Sequence, residues 1–152
     1  MKLNNKKRAV KLKRIFFLVS VAFAVAALLF FLFDFFGLTL LSIGVFSIWY
    51  IYFHVADYQF IEFSDENNKI MLRFYKAISF GSPKFNEIEF SHQVLKNAFF
   101  DNSVFGKMSD LTLVVKTKRG IAEYPSVSLS AVSKADRQKM VNAINQLLSQ
   151  TK

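Results

Sequence analysis

The hydrophobic pattern divides the chain at Phe53. Between Ile15 and Phe53 apolar residues run almost without a break, and Asp34 is the one charged residue among them. A single helix of that length would extend roughly 58 Å at ~1.5 Å per residue, about twice the ~30 Å hydrocarbon core of a bilayer. The stretch therefore has to fold back on itself. A carboxylate at mid-bilayer costs on the order of 2.5–3.5 kcal/mol, and Gly37 tolerates a turn, so the reversal belongs at Asp34. The pattern predicts a transmembrane helical hairpin over 15–53, with spans 15–33 and 35–53, and Asp34 as a loop residue rather than a proton or ion site.

Small residues inside the spans suggest how the two helices meet. Ser20/Ala24 and Ala22/Ala26 have small-xxx-small spacing, and Gly44 and Ser47 offer a matching surface on the second span. The triplets Ala22-Phe23-Ala24 and Ala24-Val25-Ala26 imitate a signal-peptidase site, but they lie within the apolar run instead of at its polar edge, so a retained span is expected. Trp49, Tyr50 and Tyr52 cluster at the end of the second span, where amphipathic rings prefer the headgroup level, and are expected to anchor the membrane interface.

Beyond His54 short alternating segments replace the apolar run. Strands are predicted at 58–63, 69–76, 85–90, 94–100, 110–117, 121–124 and 126–130. In the second of these Ile70, Leu72 and Phe74 share one face. In the third Ile88 and Phe90 point inward and Glu87 and Glu89 outward. Ser64-Asp65-Glu66-Asn67-Asn68 reads as one turn, Gly81-Ser82-Pro83 as a break, and Lys118-Arg119-Gly120 as a hairpin tip. A helix follows over about 134–149. Ser133 and Asp136 approximate a capping box at its start, and Met140, Val141, Ile144, Leu147 and Leu148 form one apolar stripe. That stripe is too short for a third span and has to bury against the sheet. The division is thus a basic segment 1–14, the hairpin 15–53 and an α+β domain 54–152.

Charge sharpens the division. The formal net charge is +9, and residues 1–14 hold Lys2, Lys6, Lys7, Arg8, Lys11, Lys13 and Arg14 without an acid. A basic isoelectric point ordinarily suggests nucleic acid. Here the excess lies next to a membrane span, where cytoplasmic retention explains it, and no nucleic-acid partner is expected. With an even number of spans, both termini should be cytoplasmic, in an inner or plasma membrane. Lys6, Lys7, Arg8, Lys11, Lys13 and Arg14, together with Lys118 and Arg119, are the candidate anionic-lipid contacts.

Candidate chemistry is sparse. The chain has no cysteine, hence no disulfide framework and no thiolate, and only His54 and His92 titrate near neutrality. No His/Asp/Glu group has metal-ligand spacing, no glycine-rich loop precedes a helix, and no nucleophile elbow occurs. Glu87 and Glu89 read as solvated strand carboxylates. No catalytic residue, metal, cofactor or small-molecule substrate is expected.

About seven strands and a closing helix in just under 100 residues resemble the pleckstrin-homology-like superfold. The wording of KIMLRFY (69–75) and KRGIAEYPSVSLSAVSKADRQKMVNAIN (118–145) is similar to uncharacterised bacterial two-span membrane proteins whose cytoplasmic part is PH-like. The resemblance covers 57 to about 150 and implies two bent sheets packed nearly orthogonally, with the helix plugging one open end. A small β-barrel or an α+β domain of another topology is the alternative. Lipid-reading PH domains carry a basic first hairpin, whereas Asp65 and Glu66 occupy that place here, which speaks against phosphoinositide recognition. The functional expectation is a membrane-anchored interaction module with no catalytic activity of its own, binding a protein partner or a second copy of itself. The competing expectation is a small accessory subunit of a transporter or membrane enzyme complex that acts through its hairpin.

Overall fold

The computed structural model describes residues 1–79, 82–103 and 108–150. It begins with a short strand β1 (Lys2–Asn4), followed by helices α1 (Lys6–Leu32) and α2 (Phe36–Ala56). Strands β2 (Gln59–Glu66), β3 (Lys69–Lys76) and β4 (Asn86–Ser91) come next, then a turn of 3-10 helix at His92–Val94. Strands β5 (Leu95–Ser103), β6 (Met108–Thr117), β7 (Gly120–Glu123) and β8 (Val127–Ser128) precede the last helix, α3 (Lys134–Gln150). The protein is thus α+β: two long apolar helices, antiparallel sheets and a C-terminal helix.

The hairpin turns where the carboxylate required it. Asp34 sits between the helices in the left-handed region, with φ 60°. Both helices are long and apolar enough to cross a membrane. α1, however, does not start at the apolar boundary near Ile15. It begins at Lys6, so the basic residues from Lys6 to Arg14, expected to precede the span, form its first turns. α2 likewise continues past Phe53 to Ala56 before Asp57, at φ 39°, ends it.

The helices meet through rings more than through small residues. Phe16 packs on Phe53 with centroids 5.3 Å apart, and Phe23 faces Phe46 at 6.3 Å. Ser42, which is buried, donates to the Phe23 carbonyl at 3.4 Å. The expected close approach at Gly44 is absent: a Cβ there would meet nothing within 4 Å, and Ala22 and Ser47 are also exposed. The close approach is made at Ser42 instead, and Ala22, Gly44 and Ser47 lie on exposed faces of their helices.

β1 was not foreseen, and it changes the architecture. It pairs antiparallel with β2, Leu3 opposite Phe63, giving a first sheet of order β1-β2-β3-β4. The chain leaves this sheet after β1, runs out and back through both helices, and returns as the neighbouring strand β2. The helical hairpin is in effect an insertion between two hydrogen-bonded strands. Only Asn5 separates β1 from α1, and only Asp57 and Tyr58 separate α2 from β2.

The predicted five-residue turn at 64–68 is also shorter than expected. β2 runs to Glu66, paired with Lys69, and the reversal is Asn67-Asn68 alone, at φ 53° and 62°. Positive φ at both central residues is what a two-residue type I′ turn requires, and asparagine tolerates it. Asp65 and Glu66 are accommodated in the strand because each has a polar partner: Glu66 meets the Lys2 ammonium at 3.1 Å, and Asp65 lies 2.7 Å from His92 Nε2. Gly81, part of the break predicted at 81–83, lies outside the described residues.

The second sheet has order β5-β6-β7, with β8 also paired to β6. Its predicted final strand, 126–130, contracts to Val127–Ser128, and the strand predicted at 94–100 starts only at Leu95 after the 3-10 turn. Inner faces of both sheets and one face of α3 make a single core. Phe63, Ile70 and Leu72 from the first sheet meet Leu111, Leu113 and Val127 from the second. Met140, Ile144 and Leu147 of α3 close it, Leu148 is half-buried at its edge, and Val141 of the expected stripe is half-buried without joining the core. Ser133 caps α3 as its spacing implied, accepting the Asp136 N–H at 3.1 Å and donating to the Asp136 carboxylate at 2.7 Å.

Candidate functional site at the helix–sheet junction

The two crossings between sheet and helices are built from different devices. At the first, Asn5 continues the strand pairing with its side chain: its Oδ1 accepts the Ile61 N–H at 2.8 Å, and its Nδ2 donates to the Gln59 carbonyl at 2.9 Å. Ala9, one helical turn on, is 3% exposed and packs against Phe60 and Ala77 on the outer face of the first sheet. At the second crossing Asp57 accepts from Gln59 Nε2 at 2.5 Å and pairs with Lys76 Nζ at 3.3 Å. Ser128 of the second sheet also reaches the end of α2, its hydroxyl 3.5 Å from the Ala56 carbonyl. Both sheets therefore grip the hairpin.

A cleft of about 210 Å³ opens at this junction. Phe16, Tyr50, Phe53 and Ile78 form its apolar walls, and His54, Asp57, Tyr58 and Lys76 supply polar groups. The His54 ring stacks on Tyr50, tilted by 10° at 6.2 Å between centroids. The Tyr58 hydroxyl lies 3.1 Å from that of Tyr52. Burial, reinforced by this hydrogen bond, pushes the Tyr58 phenol well above its ordinary pKa, so it stays a neutral phenol.

The predicted interface anchors all belong to this region. Trp49 packs on Phe53 with ring centroids 4.6 Å apart, Tyr50 lines the cleft, and Tyr52 bonds Tyr58. The sequence suggested a membrane role for them but not the bond from Tyr52 to Tyr58 beyond the end of α2. Asp57, Tyr58, Lys76 and Ile78 were missed altogether as a group, because Lys76 and Ile78 lie well over a dozen residues from Asp57 and meet it only through the β2–β3 pairing. The alternation that predicted those two strands was the available signal.

The two predicted basic groups are not brought together. Lys6, Lys7, Arg8, Lys11 and Arg14 are exposed on the first turns of α1, and Lys13 places its ammonium 5.9 Å from the Phe17 ring. The first turn of α1 has no acid, so these cations sit at the positive end of the helix dipole, an arrangement that anions nearby would relieve. Arg137 of α3 adds to this field: burial first, then the charge of Arg8, pulls its pKa down. Lys118 and Arg119 lie elsewhere. Within β6, Asp110 is close enough to feel the charge of Asp57, and the seven residues of strand from there to Thr117 span roughly 23 Å. The Lys118–Arg119 tip is therefore at the far end of the domain from the hairpin. Lys96 and Lys116 border a second cleft of about 360 Å³ at that same end.

Other polar groups are engaged in structure. Arg73 pairs with Glu87 at 2.9 Å and Lys69 with Glu89 at 2.8 Å on the outer face of the first sheet. The Lys69 hydrogen bond, followed by its charge, holds the Glu89 carboxyl below the usual range. Among the described residues no group of three or more His, Asp and Glu side chains is placed to hold a metal ion. No family model, curated protein or solved structure matches the chain.

Proposed function

We propose that this chain is a membrane-anchored interaction module without catalytic activity of its own. The hairpin spans the bilayer, both strand-bearing ends are cytoplasmic, and the α+β domain, which we read as PH-like, is held at the membrane surface to receive a protein partner or a second copy. The observation that carries the reading is the insertion of the hairpin between paired strands β1 and β2. A domain joined by one residue on one side and two on the other does not swing on a tether, so its far end is presented at a set height and angle.

The hairpin's own surface supports the membrane part. Leu18, Leu40 and Ile48 are each about 70% exposed, a density of bare apolar side chains that water does not tolerate on a monomer. The basic first turns of α1 lie directly below Ile15, where anionic headgroups would offset them. The far end carries Lys96, Lys116, Lys118 and Arg119, and beside them Ile121 on β7 is 70% exposed. That surface faces away from the bilayer and suits an acidic protein partner with an apolar contact. The competing reading, an accessory subunit working through its hairpin, draws on Ala22, Gly44 and Ser47, which leave a small-residue surface unused within the hairpin.

Two measurements on the full chain test this. Single cysteines at Lys7, Asp34 and Asn102 should give an impermeant thiol reagent access in intact cells only at 34; labelling at 102 overturns the topology. Affinity capture from gently solubilised membranes should then lose its specific partner when Ile121→Lys is combined with Lys118→Ala and Arg119→Ala. Loss on Gly44→Leu, with the far-end substitutions silent, would favour the accessory-subunit reading instead.

A further inference from the structure

We propose that the junction cleft binds the headgroup of one phospholipid bearing both a phosphate and a primary ammonium, an aminophospholipid of the phosphatidylethanolamine type. This rests on the reading of α1 and α2 as membrane spans. Phe16 and Phe53, which wall the cleft, lie where the apolar run begins on α1 and where it ends on α2, so on the membrane reading lipids have direct access to it. A volume of about 210 Å³ suits a headgroup and excludes a whole lipid.

The polar lining selects a zwitterion. Lys76 and Asp57 present a cation and an anion 3.3 Å apart at the mouth, with side chains 65% and 37% exposed. An ion pair so open to solvent contributes little to folding and opens at small cost. A phosphate can take the Lys76 ammonium while the headgroup ammonium takes Asp57, replacing one ion pair by two charge-assisted contacts. The Tyr58 hydroxyl, also on the cleft wall, can donate to a phosphate oxygen. A purely anionic headgroup would satisfy Lys76 but would face the Asp57 carboxylate, which Gln59 holds in place, with no charge to neutralise it. The same site thus reads the amine as well as the phosphate.

The test uses the full chain reconstituted in nanodiscs of equal parts phosphatidylethanolamine and phosphatidylglycerol, followed by native mass spectrometry of the lipids that remain after transfer to mild detergent. The expected result is one retained phosphatidylethanolamine per chain in preference to phosphatidylglycerol. Lys76→Gln should lower that retention roughly tenfold, the worth of one charge-assisted contact. Asp57→Asn, a residue that keeps the left-handed backbone accessible, should erase the preference for the amine. Arg119→Gln, at the far end, should change nothing. Equal retention of both lipids, or wild-type retention in Lys76→Gln, overturns the proposal. So does release of the lipid by millimolar phosphoethanolamine, which would make the site one for a soluble phosphoamine. If Asp57→Asn does not fold, Lys76→Gln decides alone, since its side chain is exposed. A chain that fails to enter nanodiscs refutes the membrane reading itself, whereas one that enters and retains no lipid refutes only the cleft.

Discussion

Asn5 holds Ile61 by two bonds: its side-chain oxygen accepts the Ile61 N–H at 2.8 Å, and its own N–H donates to the Ile61 carbonyl at 3.1 Å. A side chain here does the work of one more residue of strand, which lets β1 end and α1 begin without leaving the β2 edge unpaired. Asn5 is 8% exposed, so water cannot substitute for it. Asn5→Ala would strand the Ile61 N–H and the Gln59 carbonyl, at a cost on the order of 2–3 kcal/mol. Asn5→Asp keeps the acceptor and loses the donor, and should fall between. Urea denaturation of the detergent-solubilised protein, followed by the domain's tryptophan-independent far-ultraviolet signal, measures both; an unaffected Asn5→Ala would mean the crossing is held by backbone pairing alone.

Because β1 belongs to the first sheet, a fragment beginning at Asp57 lacks an edge strand. It should expose the β2 edge, associate in solution, and unfold at lower urea than a chain in which residues 6–56 are replaced by a short Gly-Ser linker that keeps β1. Size-exclusion chromatography and denaturation compare the two. Equal, monomeric behaviour would show β1 to be dispensable for the sheet.

The face assignment of α3 predicts a sharp contrast. Ile144 is fully buried in the common core and Gln146 is exposed. Ile144→Asp places an unpaired charge in that core and should cost several kcal/mol, a large share of a small domain's stability, while Gln146→Asp should lie within about 0.5 kcal/mol of wild type. Comparable losses in thermal melts would mean that α3 does not present this face.

Asp110 gives a pH dependence whose sign is fixed by burial. Burial raises its carboxyl above the ordinary 3.8, the negative charges of Asp57 and Asp101 add to the rise, and a hydrogen bond from Ser128 opposes it. The folded state therefore binds the proton more tightly than the unfolded chain. A penalty is absent below pH 3.8, grows as pH rises through the folded value, and is complete near neutrality. Asp110→Asn, which keeps the acceptor for Ser128, should modestly raise the melting temperature at pH 7 and make no difference at the most acidic pH that the fold survives. A lower melting temperature at pH 7 would mean that the carboxylate is favourably bound.

Much of this architecture was written in short-range pattern. The Asp34 turn, both long helices, strands β2 to β7 within a few residues, the Ser133 cap and the apolar face of α3 each follow from spacing that a few neighbouring residues display. The length of the Asn67-Asn68 turn was not legible: five polar residues in a row look like a loop, and Asp65 and Glu66 enter the strand only because His92 and Lys2 come to meet them from distant positions.

The sequence by itself determined the α+β class, the hairpin and the separation of a basic start from a nearly balanced domain, because amphipathic period and uninterrupted hydrophobicity are local properties. Only the tertiary structure decided that Lys2–Asn4 closes the first sheet, that both sheets grip the end of α2, and that Lys76 meets Asp57 in a cleft beside Tyr50. Three residues with the composition Lys-Leu-Asn carry no periodicity long enough to declare a strand. Their conformation is set by the free hydrogen-bonding edge of β2, which lies more than fifty residues away along the chain and a single strand spacing away in space.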